Sequence, residues 1–159
     1  MSASTRPTEP FRQEHAELLG HLEHMRQAAR ELPRLSEDER ALLVGRVLDF
    51  LRGTLLPHAR AEEEVLYPEW ARLVGFEDAA VPMVHDHEAI AARVDALAAA
   101  EPGDVDTLQE LLYGLFALIG VHFRKEEDLQ LPVFDRQPPE LVHEIIARMG
   151  DHAGHSHVH

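Results

Sequence analysis

Residues 58–68 of the chain read HARAEEEVLYP, and residues 122–132 read HFRKEEDLQLP. Both stretches begin with a histidine, have a glutamate four residues later and end with a proline, at a constant offset of 64 residues. A four-residue step keeps two side chains on one face of an α-helix, about one turn apart. The repeat therefore predicts two similar helices, each presenting a His-x-x-x-Glu pair.

A second repeat precedes each of these stretches. His15 and His87 are 72 residues apart, and each follows an acidic residue, Glu14 or Asp86. Apolar residues follow both histidines at matching helical positions, such as Leu18 and Ile90, or Leu22 and Val94. The sequence therefore predicts two similar helical hairpins packed about a pseudo-twofold axis.

Proline, glycine and capping residues divide the chain into four long helices and a short fifth, at about residues 9–32, 37–66, 82–101, 105–130 and 140–149. Ser36 and Asp104 are expected N-caps, and Pro33, Pro68 and Pro132 are expected to end three of the helices. Strand and hairpin patterns are lacking. The expected core stripes are Phe11, Leu18, Leu22, Met25, Ala29 and Leu32; Val44, Leu48, Leu51, Leu55 and Leu66; Met83, Ile90, Val94 and Leu97; and Leu108, Leu112, Leu115, Ile119 and Leu129. The prediction is an all-α, antiparallel up-down four-helix bundle with a short C-terminal helix.

The composition narrows the class of protein. A chain of 159 residues is the size of one domain, which we place at residues 1–150, followed by a flexible His-rich tail at residues 151–159. The formal net charge of −14 disfavours nucleic acid and anionic membranes as partners. The absence of cysteine excludes disulfides, thiolate zinc sites and iron–sulfur clusters. Without a signal sequence or an apolar run long enough to span a membrane, a cytoplasmic location is expected.

The polar residues within the core stripes are the candidate site: His15, His58, Glu62, His87, His122 and Glu126. Four imidazoles and two carboxylates pointing into one bundle would be costly if left unpartnered. Two divalent cations would remove that cost, because the carboxylates can bridge them while two imidazoles hold each one. Imidazole suits zinc, copper, iron and nickel alike, so the residues alone predict two metals without identifying them.

The order His, His-x-x-x-Glu, His, His-x-x-x-Glu on four helices resembles the hemerythrin-like, or HHE, cation-binding domain family. The resemblance covers about residues 10–134. It implies a non-haem di-iron centre with His15, His58, His87 and His122 as terminal ligands and with Glu62 and Glu126 as bridges. Ferritin-like di-iron bundles use Glu-x-x-His instead, so the order and spacing argue against that class.

One departure from the family pattern concerns the third helix. Oxygen-carrying members have two histidines there, four residues apart, whereas Met83 precedes His87 by four residues in this chain and Ala91 follows it by four. The missing histidine could leave an open position on the metals. If His87 corresponds to the later of the two histidines, Met83 occupies the place of the absent ligand; if it corresponds to the earlier one, that place is Ala91.

The expected function is binding of a diatomic ligand, O2 or NO, by two iron ions for sensing, scavenging or delivery, with a protein partner or reductant that the sequence does not identify. Three alternatives stay open at this stage: a di-iron oxidase or peroxidase, an iron-handling or iron–sulfur-repair protein, and a bundle with a purely structural polar core. Glu63, Glu64 and Glu127 are expected on a solvated face. Tyr67 is expected at the edge of the core, and Pro57 is expected to kink or restart the second helix.

Overall fold

The computed structural model describes residues 5–155, and they form α-helices joined by short turns. Three short π-helical segments, here called π1 to π3, interrupt the longer helices without ending them. In chain order the elements are α1 (Glu9–Glu31), a 3-10 turn (Leu32–Arg34), α2 (Glu37–Phe50), π1 (Leu51–Leu55), α3 (Leu56–Ala61), π2 (Glu62–Leu66), α4 (Tyr67–Val74), α5 (Val81–Ala99), α6 (Val105–Lys125), π3 (Glu126–Gln130), α7 (Leu131–Asp135) and α8 (Pro139–His155).

The helix starts follow the predicted caps. Ser36 accepts a hydrogen bond from the backbone N–H of Glu39, whose side chain in turn accepts one from the N–H of Ser36. Asp104 caps α6 by accepting from the N–H of Thr107. Both pairings satisfy amide donors that the first turn of a helix leaves open. The sequence-based prediction of these two helix starts is confirmed.

Pro68 and Pro132 do not end their helices, contrary to the sequence-based expectation. Each proline, like Pro57, is the second residue after a π segment. A proline ring crowds the carbonyl four residues earlier, and that carbonyl lies inside the π segment in all three cases. The wider π turn relieves the clash, because the backbone N–H of the residue before the proline bonds to the carbonyl five residues earlier, as Tyr67 bonds to Glu62. The second helical segment therefore continues from residue 37 to residue 74.

The π turns also shift the helix register. Leu129 was expected in the core but is 62% exposed, whereas Gln130 and Leu131 are buried. One extra residue in a turn rotates the following side chains by about 100° relative to an uninterrupted α-helix. The inward face after Glu126 is therefore displaced from the face that a constant 3.6-residue period predicts.

Two apolar clusters form the core, one on each side of the candidate site. The first comprises Leu18, Leu22, Met25, Ala29, Leu32, Val44, Val47, Leu51, Leu55, Ile90, Val94, Leu97, Leu108, Leu112, Leu115, Ile119 and Phe123. The second comprises Phe11, Ala61, Val65, Leu66, Tyr67, Ala80, Met83, Leu131, Phe134, Val142, Ile145 and Met149. The ring of His15 lies between them, 4.1 Å from the Phe123 ring centroid and 4.5 Å from that of Phe11. The site is thus enclosed by apolar side chains on both sides.

In two pairs of contacting helices, the residue numbers rise along one helix as they fall along the other. The amide of Gln109 donates to the carbonyl of Ala29, and His15 contacts Glu127 near the other end of the same helix pair. Arg52 pairs with Asp95, while Glu62, further along, lies against His87. The fold of the described chain is a helical bundle in which these contacts bring all four long segments to one site.

The last helix is longer than predicted. The expected end was near Gly150, but α8 continues to His155, so the first five residues of the predicted flexible tail are helical. Glycine weakens a helix without removing a backbone hydrogen bond, so it permits continuation. Residues 156–159 of that predicted tail lie outside the described part of the chain. Across residues 5–155, none of the helices combines the length and the hydropathy that a bilayer-spanning segment needs.

Candidate metal centre

The structure brings together all six residues that the sequence singled out. Their side chains are 0–6% exposed and come from α1, α3, π2, α5, α6 and π3. The six are His15, His58, Glu62, His87, His122 and Glu126. Burial of four imidazoles and two carboxylates in one place requires partners for their polar atoms.

One group with suitable geometry for a metal ion contains His15, His58 and Glu62, whose ligand atoms all lie within 4.8 Å of one another. The Glu62 Oε2 atom is 3.3 Å from His58 Nε2 and 3.9 Å from His15 Nε2. We call this group position A.

A second group contains Glu62, His87 and His122, within the same 4.8 Å limit. Here the other carboxylate oxygen, Glu62 Oε1, is 3.2 Å from His87 Nε2 and 3.9 Å from His122 Nε2. The two Nε2 atoms are 2.9 Å apart. We call this group position B. Because Glu62 offers one oxygen to each position, its carboxylate has the arrangement of a bridge.

Glu126 also lies between the two positions. Its Oε1 atom is 3.4 Å from His15 Nε2 and 3.5 Å from His122 Nε2, one histidine of each group. Its Oε2 atom accepts a hydrogen bond of 3.0 Å from the Tyr67 hydroxyl. The pseudo-twofold pairing of Glu62 with Glu126 in the sequence therefore corresponds to two carboxylates that each face both positions.

Many of the polar atoms that face the centre have no hydrogen-bond partner in the protein. Five of the buried side-chain atoms without a hydrogen bond belong to these residues and point into the site: His15 Nε2, His58 Nε2, Glu62 Oε1, Glu62 Oε2 and Glu126 Oε1. Buried polar atoms are rarely left unpaired, because each costs about 1–3 kcal/mol. All five are imidazole nitrogens or carboxylate oxygens, the donors that first-row transition metals accept. The residues present therefore fit a metal centre.

The pKa values of the site groups reflect this crowding. Burial and the neighbouring Glu62 carboxylate raise the pKa of Glu126 well above its ordinary value. Burial alone would raise the pKa of Glu62, but the neighbouring imidazoles, His58 above all, hold it well below its ordinary value. Burial alone would lower the pKa of His58, yet Glu62 and Glu14 raise it to about 10. Both shifts favour a proton on His58 and on Glu126 in the absence of a metal, and a metal would compete with those protons.

The outer nitrogen of each histidine faces a second acidic residue. His58 Nδ1 is 2.9 Å from Glu14, and His122 Nδ1 is 2.9 Å from Asp86. His15 Nδ1 is 3.3 Å from Glu127. A carboxylate at Nδ1 directs Nε2 inward as the free ligand atom, a common arrangement around metal-bound histidine.

The fourth outer contact is looser, because His87 Nδ1 is 3.7 Å from the Glu63 carboxylate and has no hydrogen bond. Glu63 and Glu127 were expected to lie on a solvated face, but each is about one-third exposed and turned toward a histidine. The sequence carried the signal: each outer acid adjoins a site residue, as Glu14 adjoins His15.

Tyr67 is the functional residue that sequence reasoning misplaced. It is 3% exposed rather than at the core edge. Its hydroxyl is 3.2 Å from His87 Nε2 and 3.2 Å from His122 Nε2. In an uninterrupted α-helix Tyr67 would lie about 140° around the axis from Glu62, but π2 narrows that angle. The sequence signal for the change in this turn is Pro68, the residue that directly follows Tyr67.

A small cavity adjoins the centre on the side of the first apolar cluster. Its volume is about 10 Å³, and its walls include His58, His87 and His122 beside Ile90 and Ile119. A volume of about 10–15 Å³ is what one water-sized molecule requires. The space beside the histidines is therefore small and largely apolar.

Comparison with protein-family models gives one match, the hemerythrin HHE cation-binding domain, over residues 6–134. Searches of curated proteins and of solved structures found no match. The matched range contains all six site residues and spans most of the 159-residue chain. The chain belongs to the hemerythrin HHE cation-binding domain family.

Proposed function

We propose that the protein is a non-haem di-iron protein that binds a diatomic ligand, O2 or NO, for sensing, scavenging or delivery. In this proposal His15 and His58 hold the iron at position A, and His87 and His122 hold the iron at position B. Glu62 and Glu126 bridge the two. The observation that carries the proposal is the orientation of Glu62, whose two oxygens face different pairs of histidines, 3.3 Å and 3.2 Å from the nearest nitrogens.

The proposal includes the path of the chain. We infer that the four long segments alternate in direction as an antiparallel up-down bundle within one domain, residues 1–150. The opposite order of the contacts supports this alternation, because Arg40 contacts Leu32 while His58 contacts Glu14, and the remaining pairs of segments show the same reversal. Such bundles build metal sites from side chains on facing helices.

The space beside the histidines limits the ligand to a very small molecule. The cavity of about 10 Å³ leaves no room for an organic substrate, and its apolar walls favour a small uncharged molecule. Two ferrous ions held by these residues would supply the electrons and the binding place for O2 or NO. The protein keeps water out through the two apolar clusters, and the outer carboxylates keep each imidazole oriented toward the centre.

Metal analysis combined with absorption spectroscopy tests the proposal. The protein is prepared with His155, His157 and His159 replaced by alanine, so that the C-terminal histidines do not add to the metal count. We expect about two irons per chain and a visible spectrum that changes when O2 or NO is added anaerobically and returns when the gas is removed. One iron or none, or no change with either gas, would contradict it.

A second candidate function is an oxidase that acts on an organic molecule. The observation that favours it is a cavity of about 630 Å³ whose lining includes Glu63, Tyr67 and Phe76. That volume is typical of small-molecule sites, which span about 300–1,000 Å³. Steady consumption of O2 or peroxide with many turnovers, instead of reversible binding, would favour this function over the first.

A further inference from the structure

We propose that the phenol oxygen of Tyr67 is itself a metal ligand at position B, where it takes the place of the histidine that this chain lacks. The inference rests on the proposed di-iron function and adds a ligand that the His/Glu pattern does not include. It concerns one of the two positions only.

The atoms around the Tyr67 oxygen are spaced like ligands of one metal ion. Tyr67 Oη is 3.2 Å from His87 Nε2 and 3.2 Å from His122 Nε2, and the two nitrogens are 2.9 Å apart. Two ligands at right angles on one metal are about 3.0 Å apart when each bond is about 2.1 Å long. The three atoms thus form a triangle with the edge lengths of one face of an octahedron.

The carboxylate oxygens extend the same arrangement. Glu62 Oε1 is 3.2 Å from His87 Nε2, and Glu126 Oε2 is 3.0 Å from the Tyr67 oxygen. A metal ion at position B would therefore have nitrogen and oxygen atoms from five side chains around it. Hydrogen bonds satisfy this group only if an imidazole carries a proton on Nε2, because the single hydroxyl proton of Tyr67 is donated to Glu126.

The pseudo-twofold symmetry of the site is broken at Tyr67. Adding the 64-residue offset to Tyr67 gives Leu131, which is fully buried and has no ligand atom. At position A the rings beside His15 are those of Phe123 and Phe11, 4.1 Å and 4.5 Å away, and both lack a ligand atom. The two halves of the site agree in four histidines and two glutamates and differ at Tyr67. The phenol therefore makes position B chemically distinct from position A.

Met83 was the expected occupant of the absent histidine's place. Its side chain belongs to the second apolar cluster, with Phe11 and Leu131 among its members. A thioether is a soft donor that suits copper(I) better than iron beside imidazole and carboxylate. Tyr67, in the same cluster, has the harder oxygen donor and the measured contacts to both histidines.

Binding as phenolate requires the loss of one proton and no change in oxidation state. The O–H bond of Tyr67 breaks, the oxygen binds the metal with its electron pair, and the proton passes to bulk water. The hydrogen bond from the hydroxyl to Glu126 is then lost, which frees Glu126 Oε2 to face the metal instead.

The experiment compares Tyr67→Phe with Tyr113→Phe, since these are the two tyrosines of the chain and Tyr113 is exposed. Each variant is loaded with ferric iron, and both metal content and absorption are measured. A phenolate bound to ferric iron gives an intense charge-transfer band in the visible range. We expect this band in the wild type and in Tyr113→Phe, and its complete loss in Tyr67→Phe. The second metal equivalent should also bind at least about tenfold more weakly in Tyr67→Phe.

Resonance Raman spectra of the wild type make the test independent of any variant. When tyrosine carries ring deuterium, ring vibrations enhanced by excitation in the band should shift. A wild type that holds two irons without the band or the shift would overturn the ligand assignment and leave the di-iron function standing. A band that persists in Tyr67→Phe would overturn it equally. A wild type without two metals would overturn the di-iron function, and with it this inference.

Discussion

Removal of the metals should lower the thermal stability of the protein by a large amount. Five buried atoms of the site have no hydrogen-bond partner in the protein itself: the inward nitrogens of His15 and His58, both oxygens of Glu62 and Oε1 of Glu126. At about 1–3 kcal/mol each, their burial costs about 5–15 kcal/mol without a metal. A free energy of that size equals the whole stability of a typical domain, which is about 5–15 kcal/mol.

Protonation reduces the cost in the metal-free state. The raised pKa values of His58 and Glu126 allow one positive charge beside Glu62 and one neutral carboxyl. The lower end, about 5 kcal/mol, is therefore the relevant figure for metal removal. For a chain of this size, each kcal/mol corresponds to about 2–4 °C, so the melting temperature should fall by about 10–20 °C.

Differential scanning calorimetry measures this shift before chelation, after chelation and after iron is restored. Elemental analysis verifies the metal content of each sample. The matched control is the double variant Glu62→Ala/Glu126→Ala, in which chelator should leave the melting temperature unchanged. A shift below about 4 °C in fully metal-free wild type would refute the reasoning, because about 1–2 kcal/mol is too little for five unpartnered atoms.

Three further predictions follow from the contacts. Glu62→Ala and Glu126→Ala should each lower the iron content below two, whereas Glu63→Ala should leave it near two; the reverse result for Glu62 and Glu63 would place the helix register one residue off. Glu14→Ala should weaken metal binding by about 10–100-fold in competition with a chelator of known affinity, because His58 loses its outer hydrogen bond while its ligand atom remains. Asp135→Ala should cost about 2 kcal/mol in urea unfolding at neutral pH, because Asp135 accepts two hydrogen bonds from the start of α1. Burial alone would raise the pKa of Asp135, but these hydrogen bonds outweigh that effect and lower the pKa. Its stabilisation is thus complete above pH 3.8 and is lost as the pH falls below that value; a cost that stays constant through the acidic range would contradict the assignment.

The six site residues could be predicted from the sequence because the repeat restricts the helix face on which each one can lie. A histidine within an apolar stripe is common, and alone His15 would indicate little. Its partner His87 at the same place in a second copy, with matching apolar residues after both, restricts the position to one helix face. The prediction that all six residues lie buried together holds, with exposures of 0–6%.

The rest of the site was not readable because the helix period is not constant. The face of the helix on which each side chain should lie was predicted from a period of 3.6 residues per turn. Each of the three π segments has a wider turn than that. Leu129 and Tyr67 were misplaced for this one reason. Both come shortly after a His-x-x-x-Glu pair and just before a proline, so the prolines that were expected to end helices mark instead the turns where the register changes.

The same turns explain how a symmetric repeat produces an asymmetric site. A π turn begins at each glutamate, Glu62 and Glu126, and brings the residue five positions later closer to the face of the helix that carries the glutamate. The backbone thus presents two equivalent places for one additional side chain. Tyr67 occupies one of these places and Leu131 the other. Symmetry of the backbone supplies the paired carboxylates and imidazoles, and the identity of the residue directly after each π turn determines which of positions A and B has a further oxygen beside it.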